Sequence, residues 1–342
     1  MEIVLKNKYY SFVKYWLITL LIFLLLIVIV GGLTRLTDSG LSITRWDVVS
    51  GIFPPMNLKE WENAFNLYKE IPQFYLVNPN ITLNEFKIIY YWEYIHRLLA
   101  RFFALLFLIP FIFFFLKKAL SKEYNLNFFI LFCLILLQGL MGWVMVKSGL
   151  TENITVSHFR LAIHLNLALI LFASIFWYLL NLINKKNNYF FSLSNNGFVQ
   201  FFVLLIFFQI TLGAFTSGLD AGKIYQSWPS MNNNFLPDDV DLKSINMFDV
   251  FSYPSLVQFL HRNLAYIILV YIFVLFFYFY LKKSEHLYFP IYLVLFMTLI
   301  QIVLGIITLV SGLNIFYASM HQVSSVLLLT SSIYLSYKSV LT

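Results

Sequence analysis

The chain has 342 residues, of which 60% are hydrophobic, 20% aromatic and only 11% charged, with a net charge of +7. That much apolar surface excludes a soluble globular protein of this size and points to an all-α integral membrane protein. The cations lie in short loops rather than in one basic patch, so no nucleic-acid partner is expected.

Eight apolar runs approach the ~20 residues that cross a bilayer. In chain order they are 15–34, 93–116, 126–147, 159–181, 198–217, 257–281, 287–310 and 318–337. Backbone groups in lipid must be satisfied within the segment, so these runs are read as eight transmembrane helices. The first run is too long for a cleaved signal segment and lacks a small-residue cleavage site, so it is read as a retained helix. A long loop at about 37–90 follows it, with enough aromatic residues to fold as short helices over the membrane surface. A second long loop, about 218–255, follows the fifth run. Each loop carries tryptophan followed by proline and methionine: Trp46, Pro54, Pro55 and Met56 in one, Trp228, Pro229 and Met231 in the other. Such residues suit either an interfacial anchor or a lid over a bound ring system.

The chain repeats itself. The string VGGLTRLTDSG at 30–40 aligns without gaps on LGAFTSGLDAG at 212–222, and QGLMG at 138–142 answers QIVLG at 301–305. Four helices followed by four helices in the same orientation make a parallel internal repeat, two tandem four-helix bundles. The expected division is 1–181 for the first half, 182–197 for a polar cytoplasmic linker and 198–342 for the second half.

Assigning alternate loops to the cytoplasm, starting from the N-terminus, places Lys6, Lys8, Lys14, Lys117, Lys118, Lys122, Lys185, Lys186, Lys282, Lys283 and Lys338 on one side. The acids there are Glu2, Glu123 and Glu285. By the positive-inside rule both termini are cytoplasmic, and a bacterial inner membrane is the expected location, with lipid as the surrounding partner.

Four histidines occupy repeat-matched positions. EYIHRLLARF at 93–102 answers QFLHRNLAYI at 258–267, and RLAIHLNLAL at 160–169 answers YASMHQVSSV at 317–326. His96 and His164 therefore form one pair, His261 and His321 another. Each is expected in the first turn or two of a helix running inward, all at similar depth near the outer face. A neutral imidazole ligates iron, and two approaching from parallel helices can hold a planar macrocycle between them, as in a bis-histidine haem site. Ionisable residues at membrane depth are costly and usually functional. His158 has no repeat partner and reads as interfacial; His286 lies in a loop beside Lys282 and Lys283. Cys133, the only cysteine, admits no intrachain disulfide and no covalent c-type haem attachment.

One difference breaks the symmetry: Glu93 stands three residues before its histidine, where the second half has Gln258. At that spacing the carboxylate shares a helix face with His96 and would lie near the edge of any macrocycle bound there, where it could accept a proton. The other reading is an ion pair with Arg97 or Arg101. Arg97 and Arg262 directly follow their histidines and suit haem propionates through charge-assisted hydrogen bonds, with Arg35 and Arg160 as weaker candidates.

These residues together resemble the haem A synthase family. The resemblance covers nearly the whole chain and rests on GGLTRLTDSGLSI, FKIIYYWEYIHRLLAR, SHFRLAIHL, LGAFTSGLDAG, SWPSM, HRNLAY and MHQVSS in combination. The long first loop without a cysteine pair looks like the alphaproteobacterial and mitochondrial branch. The resemblance implies oxidation of the C8 methyl group of haem O to a formyl group, giving haem A for cytochrome oxidase. It implies haem b as cofactor on His261 and His321 and haem O as substrate near His96 and His164; the repeat asymmetry argues for the same division, and Glu93 is assigned as the assisting base. A haem O synthase as delivery partner, an electron acceptor that the residues do not identify, and a homo-oligomer are further expectations. A di-haem b-type membrane electron carrier, with no chemistry on its haems, is the alternative; the difference between Glu93 and Gln258 argues against two equivalent carriers.

Overall fold

A computed structural model describes residues 3–46, 50–150, 155–188, 197–240, 246 and 249–340. Residues 189–196, half of the expected linker at 182–197, lie outside the described residues. The described regular structure is helical: α1 (Tyr10–Leu36), α2 (Leu58–Tyr68), α3 (Pro72–Leu76), α4 (Leu83–Leu116), α5 (Lys122–Gly149), α6 (His158–Asn184), α7 (Gly197–Gly218), α8 (Pro254–Leu281), α9 (Tyr288–Val310) and α10 (Ile315–Val340). Each of the eight long helices contains one of the apolar runs to within a residue, seven of them beginning within about five residues of it, and α2 and α3 are the short helices expected in the first long loop.

Two expectations change. Seven of the long helices are long and apolar enough to cross a membrane, and α10 is not among them. It is 26 residues long, but its buried face carries Ser324, Ser331, Ser332, Ser336 and Ser339. Small side chains let a helix approach its neighbours closely, and α10 packs on both α7 and α9. Several of its hydroxyls return to carbonyls of their own helix, as Ser331 and Ser332 do to Leu328 at 2.8 and 2.7 Å. Four of these serines lie on the largely buried second half of α10, and a buried segment needs less hydrocarbon than a lipid-facing one.

The second change concerns α4, which begins at Leu83, ten residues before the predicted run. Thr82 and Glu85 form a reciprocal capping box at its start, satisfying two otherwise open backbone donors. His96 therefore sits roughly three and a half turns into its helix rather than one or two. The added turns serve a core of their own. Phe86 is fully buried and packs on Phe65 and Tyr68 at ring separations of 5.0 and 5.2 Å, while Trp61 meets Tyr90 edge-on at 5.0 Å. Burial among these rings pushes the pKa of the Tyr68 hydroxyl up. That hydroxyl accepts from Asn78 and donates to Gln73, and Gln73 in turn donates to the Asp38 carbonyl.

The chain forms two compact units, one of Thr19–Ala168 and one of Met1–Ile18 with Leu169–Thr342. In the first, α2 packs on α4 and α4 on α5, with Phe107 stacked on Phe132 at 6.4 Å. In the second, α7, α8, α9 and α10 close a four-helix ring, each touching two neighbours. Phe86→Ala should cost about 3–5 kcal/mol and free α2 from α4. Limited proteolysis in detergent should then cut near α2 while leaving the helices of the second unit protected; an unchanged digestion pattern would contradict this anchoring role.

Candidate functional site: histidines seated on glycines

Each of the four repeat-matched histidines lies on a glycine of an adjacent helix. A Cβ added to Gly31 would stand 2.7 Å from Cε1 of His96. The corresponding distances are 3.1 Å for Gly142 and His164, 3.2 Å for Gly213 and His261, and 3.1 Å for Gly305 and His321. At Gly31 a side chain would force the ring to shift, and at the other three it would be tighter than nearly all such contacts, so the missing side chain lets the ring lie close. Four residues before each glycine, the backbone accepts a hydrogen bond from the same ring: Ile27 for His96, Gln138 for His164, Gln209 for His261 and Gln301 for His321. One helical turn separates the two contacts, so the ring spans the gap left by the glycine and ties to the carbonyl one turn away.

Three of these carbonyl residues are glutamines, and their side chains return the bond. Gln138, Gln209 and Gln301 donate through Nε2 to the backbone carbonyls of His164, His261 and His321 at 3.0, 2.9 and 2.8 Å. The exception is Ile27; there Thr34 crosses from α1 to α4, its hydroxyl 3.2 Å from the Trp92 carbonyl. The recurring Gln-x-x-x-Gly at 138–142, 209–213 and 301–305 is legible in the sequence as a spacing. Its meaning emerges only with the histidines above it.

In all four rings Nδ1 is buried and has no partner among the described residues. A histidine ligand to a metal typically donates one ring N–H to a carbonyl and offers the other nitrogen's lone pair. The four rings meet that requirement. The His261 and His321 ring centroids are 6.4 Å apart, with planes at 88°. With metal–nitrogen bonds of about 2 Å on either side, two axial imidazoles have centroids roughly 6 Å apart. The residues present therefore fit a bis-histidine haem, and His261 and His321 would hold it.

Glu93 is 3% exposed and has donors on both oxygens. Arg97 binds Oε1 at 2.6 Å, while the Ser42 hydroxyl and the Ile43 amide bind Oε2, each at 2.8 Å. Of the two arginines considered as its ion-pair partner, Arg97 fills that place. The same guanidinium also reaches the carbonyls of Ile43 and Arg45 at 3.0 and 3.2 Å, and lies 4.8 Å from the Trp46 ring. In the second unit Arg262 donates to the carbonyls of Tyr225 and Ser230 at 3.0 and 3.3 Å, and Gln258 donates to the Tyr225 carbonyl at 2.8 Å. Each arginine thus fastens a loop to the histidine helix. Each also keeps a buried Nε–H without an acceptor among the described residues.

The weaker candidates stand elsewhere in their networks. Arg35 pairs with Asp38 at 3.0 Å, and Arg160 donates to the Val144 carbonyl at 3.4 Å. His158 opens α6, with its ring 4.2 Å from that of Phe159. Sequence reasoning missed Ser42, which lay inside a quoted string but was not singled out.

The family model described as COX15-CtaA, cytochrome oxidase assembly protein, matches residues 14–333. A protein of Pelagibacter ubique named "Heme A synthase" is 49% identical over 336 residues, 97% of this chain and 98% of the relative. Proteins with the same name from Ehrlichia canis and Orientia tsutsugamushi are 42% and 37% identical, each over 94% of this chain and 92% and 94% of the relatives. The chain belongs to the COX15-CtaA family of cytochrome oxidase assembly proteins, and it is a multi-pass membrane protein.

The glycine seats yield a controlled test. Gly31→Ala must displace the His96 ring, whereas Gly139→Ala meets nothing within 4 Å. In purified protein loaded with haem, Gly31→Ala should lower haem content or alter the low-spin spectrum of the first pair, and Gly139→Ala should leave both as in the parent. Equal behaviour of the two variants would remove the seating role.

Proposed function

We infer that the protein works as a haem A synthase, oxidising the C8 methyl group of haem O to a formyl group, through hydroxylated intermediates, for cytochrome oxidase assembly. The family and the matching names support the reaction. The observation that carries the finer reading is the contrast between two histidine pairs of one design: one has a buried carboxylate, Glu93, three residues before its first histidine, and the other has Gln258 there.

In this reading the first half, 1–181, receives haem O between His96 and His164, and the second half, 198–342, holds haem b on His261 and His321. When bound, a b-type haem supplies a one-electron acceptor within the membrane. The chain's own residues do the rest. The glycine seats and the backbone bonds orient the imidazoles before anything binds. Arg97 and Arg262, each with an N–H to spare at Nε, offer charge-assisted donors to propionates. Glu93 takes the proton released as the methyl carbon is oxidised, and Arg97 keeps its carboxylate directed along the helix. With α10 as an eighth crossing, the lysine distribution supports both termini cytoplasmic, and the alphaproteobacterial relatives support an inner-membrane location; a haem O synthase would supply the substrate.

Glu93→Gln tests the base. It keeps the volume and removes the proton acceptor, so haem binding should survive while conversion falls by ~10²–10⁴-fold. Expression beside a haem O source, with haem O, hydroxylated intermediate and haem A quantified by chromatography, measures this. Near-normal haem A from a well-loaded variant would contradict the assignment.

A further inference from the structure

The repeat runs further than the eleven-residue match of 30–40 with 212–222. Continued without a gap, it places Ile43 opposite Tyr225 and Trp46 opposite Trp228. The structure supports that register: the Ile43 and Tyr225 carbonyls each accept from the matched arginine, both at 3.0 Å. Asp38 and Asp220 adopt the same left-handed conformation, each with φ 51°. In this frame Ser42 stands where the second half has Ile224; the match of the histidine strings sets Glu93 where it has Gln258. The two differences are in contact in the first unit. The Ser42 hydroxyl is 2.8 Å from Glu93 Oε2 and 3.2 Å from the Ile89 carbonyl, and Ser42 is 2% exposed. In the second unit Ile224 is 44% exposed, and the amide at 258 donates to the loop carbonyl instead of accepting from the loop.

The loop and the helix have therefore changed together: a hydroxyl donor in one accompanies an acceptor in the other. We propose that Ser42 is a positioning residue for Glu93, fixing the orientation of the carboxylate that takes the proton. This rests on Glu93 being the base. Arg97 meets only Oε1, and the terminal torsion of a glutamate is broad. The second oxygen is held by the Ile43 amide and by Ser42, and without the hydroxyl Oε2 keeps a single donor on a loop segment. A hydrogen bond to a charged group of ordinary strength corresponds to about tenfold or more in rate when the orientation it fixes is the reactive one. A serine placed there for packing alone would have no reason to be matched by an acid 51 positions away.

The test compares Ser42→Ala and Ser42→Thr in the parent and in the Glu93→Gln background, each expressed with a haem O source and assayed for haem content and for haem O, hydroxylated intermediate and haem A. The expected result is about a tenfold loss of conversion per bound haem in Ser42→Ala at unchanged haem content, recovery in Ser42→Thr, and no further loss when Ser42→Ala is added to Glu93→Gln. Parent-like conversion in Ser42→Ala overturns the proposal while leaving Glu93 as base. So does a Thr variant as impaired as Ala at full haem content, a further loss of the same size in the double variant, or a fall in haem content with conversion per haem intact. Normal conversion by Glu93→Gln overturns the base itself, and the proposal with it.

Discussion

The close approach of an imidazole to a glycine is the constraint on which the rest of this structure depends. A buried histidine in a helical membrane protein must place two ring nitrogens, and an unsatisfied polar group there is costly. The glycine removes the side chain that would hold the neighbouring helix away, and the carbonyl one turn earlier accepts one N–H. The other nitrogen is left buried with its lone pair free. Seen alone, that nitrogen would be a defect; seen four times in repeat-matched positions, it supports the proposal that these rings are haem ligands. The glutamines at three of the four carbonyl positions add a return bond to the histidine's own backbone, locking the two helices in register.

With the rings fixed by helix packing, the long loops are free to differ between the halves. Arg97 and Arg262 perform the same task, gripping loop carbonyls from the residue after the histidine. What the loop presents in return is not the same. In one unit it offers an amide and a hydroxyl to a carboxylate; in the other it offers a carbonyl to an amide. A buried carboxylate held by three donors has a defined direction, whereas the glutamine opposite it in the repeat serves to close the loop. This contrast supports the proposed division, with proton transfer in the half that carries Glu93 and a cofactor held in the other.

Much of this was legible in the chain. Hydropathy located the long helices because their apolar runs are continuous, and the repeat located the histidines and the exchange of Glu93 for Gln258. Two features were not. Residues 83–92 belong to α4, but their apolar face serves the small core around Phe65, Tyr68 and Phe86 rather than lipid, so the run breaks before the helix does. In α10 the buried serines of the second half lower the hydropathy of a helix that packs on α7 and α9. Ser42 was invisible for a different reason: its partner is on another helix, and only the folded chain brings a loop hydroxyl to a carboxylate so far along the sequence.

The pigment content of the purified protein tests the central claim most directly, because it distinguishes two unlike haem sites from two like ones without recourse to a variant. Extraction and identification by mass should find haem b together with haem O, haem A or a hydroxylated intermediate between them. Haem b alone in both sites would make the protein an electron carrier, and would contradict the division of labour argued from Glu93, Ser42 and the histidine pairs.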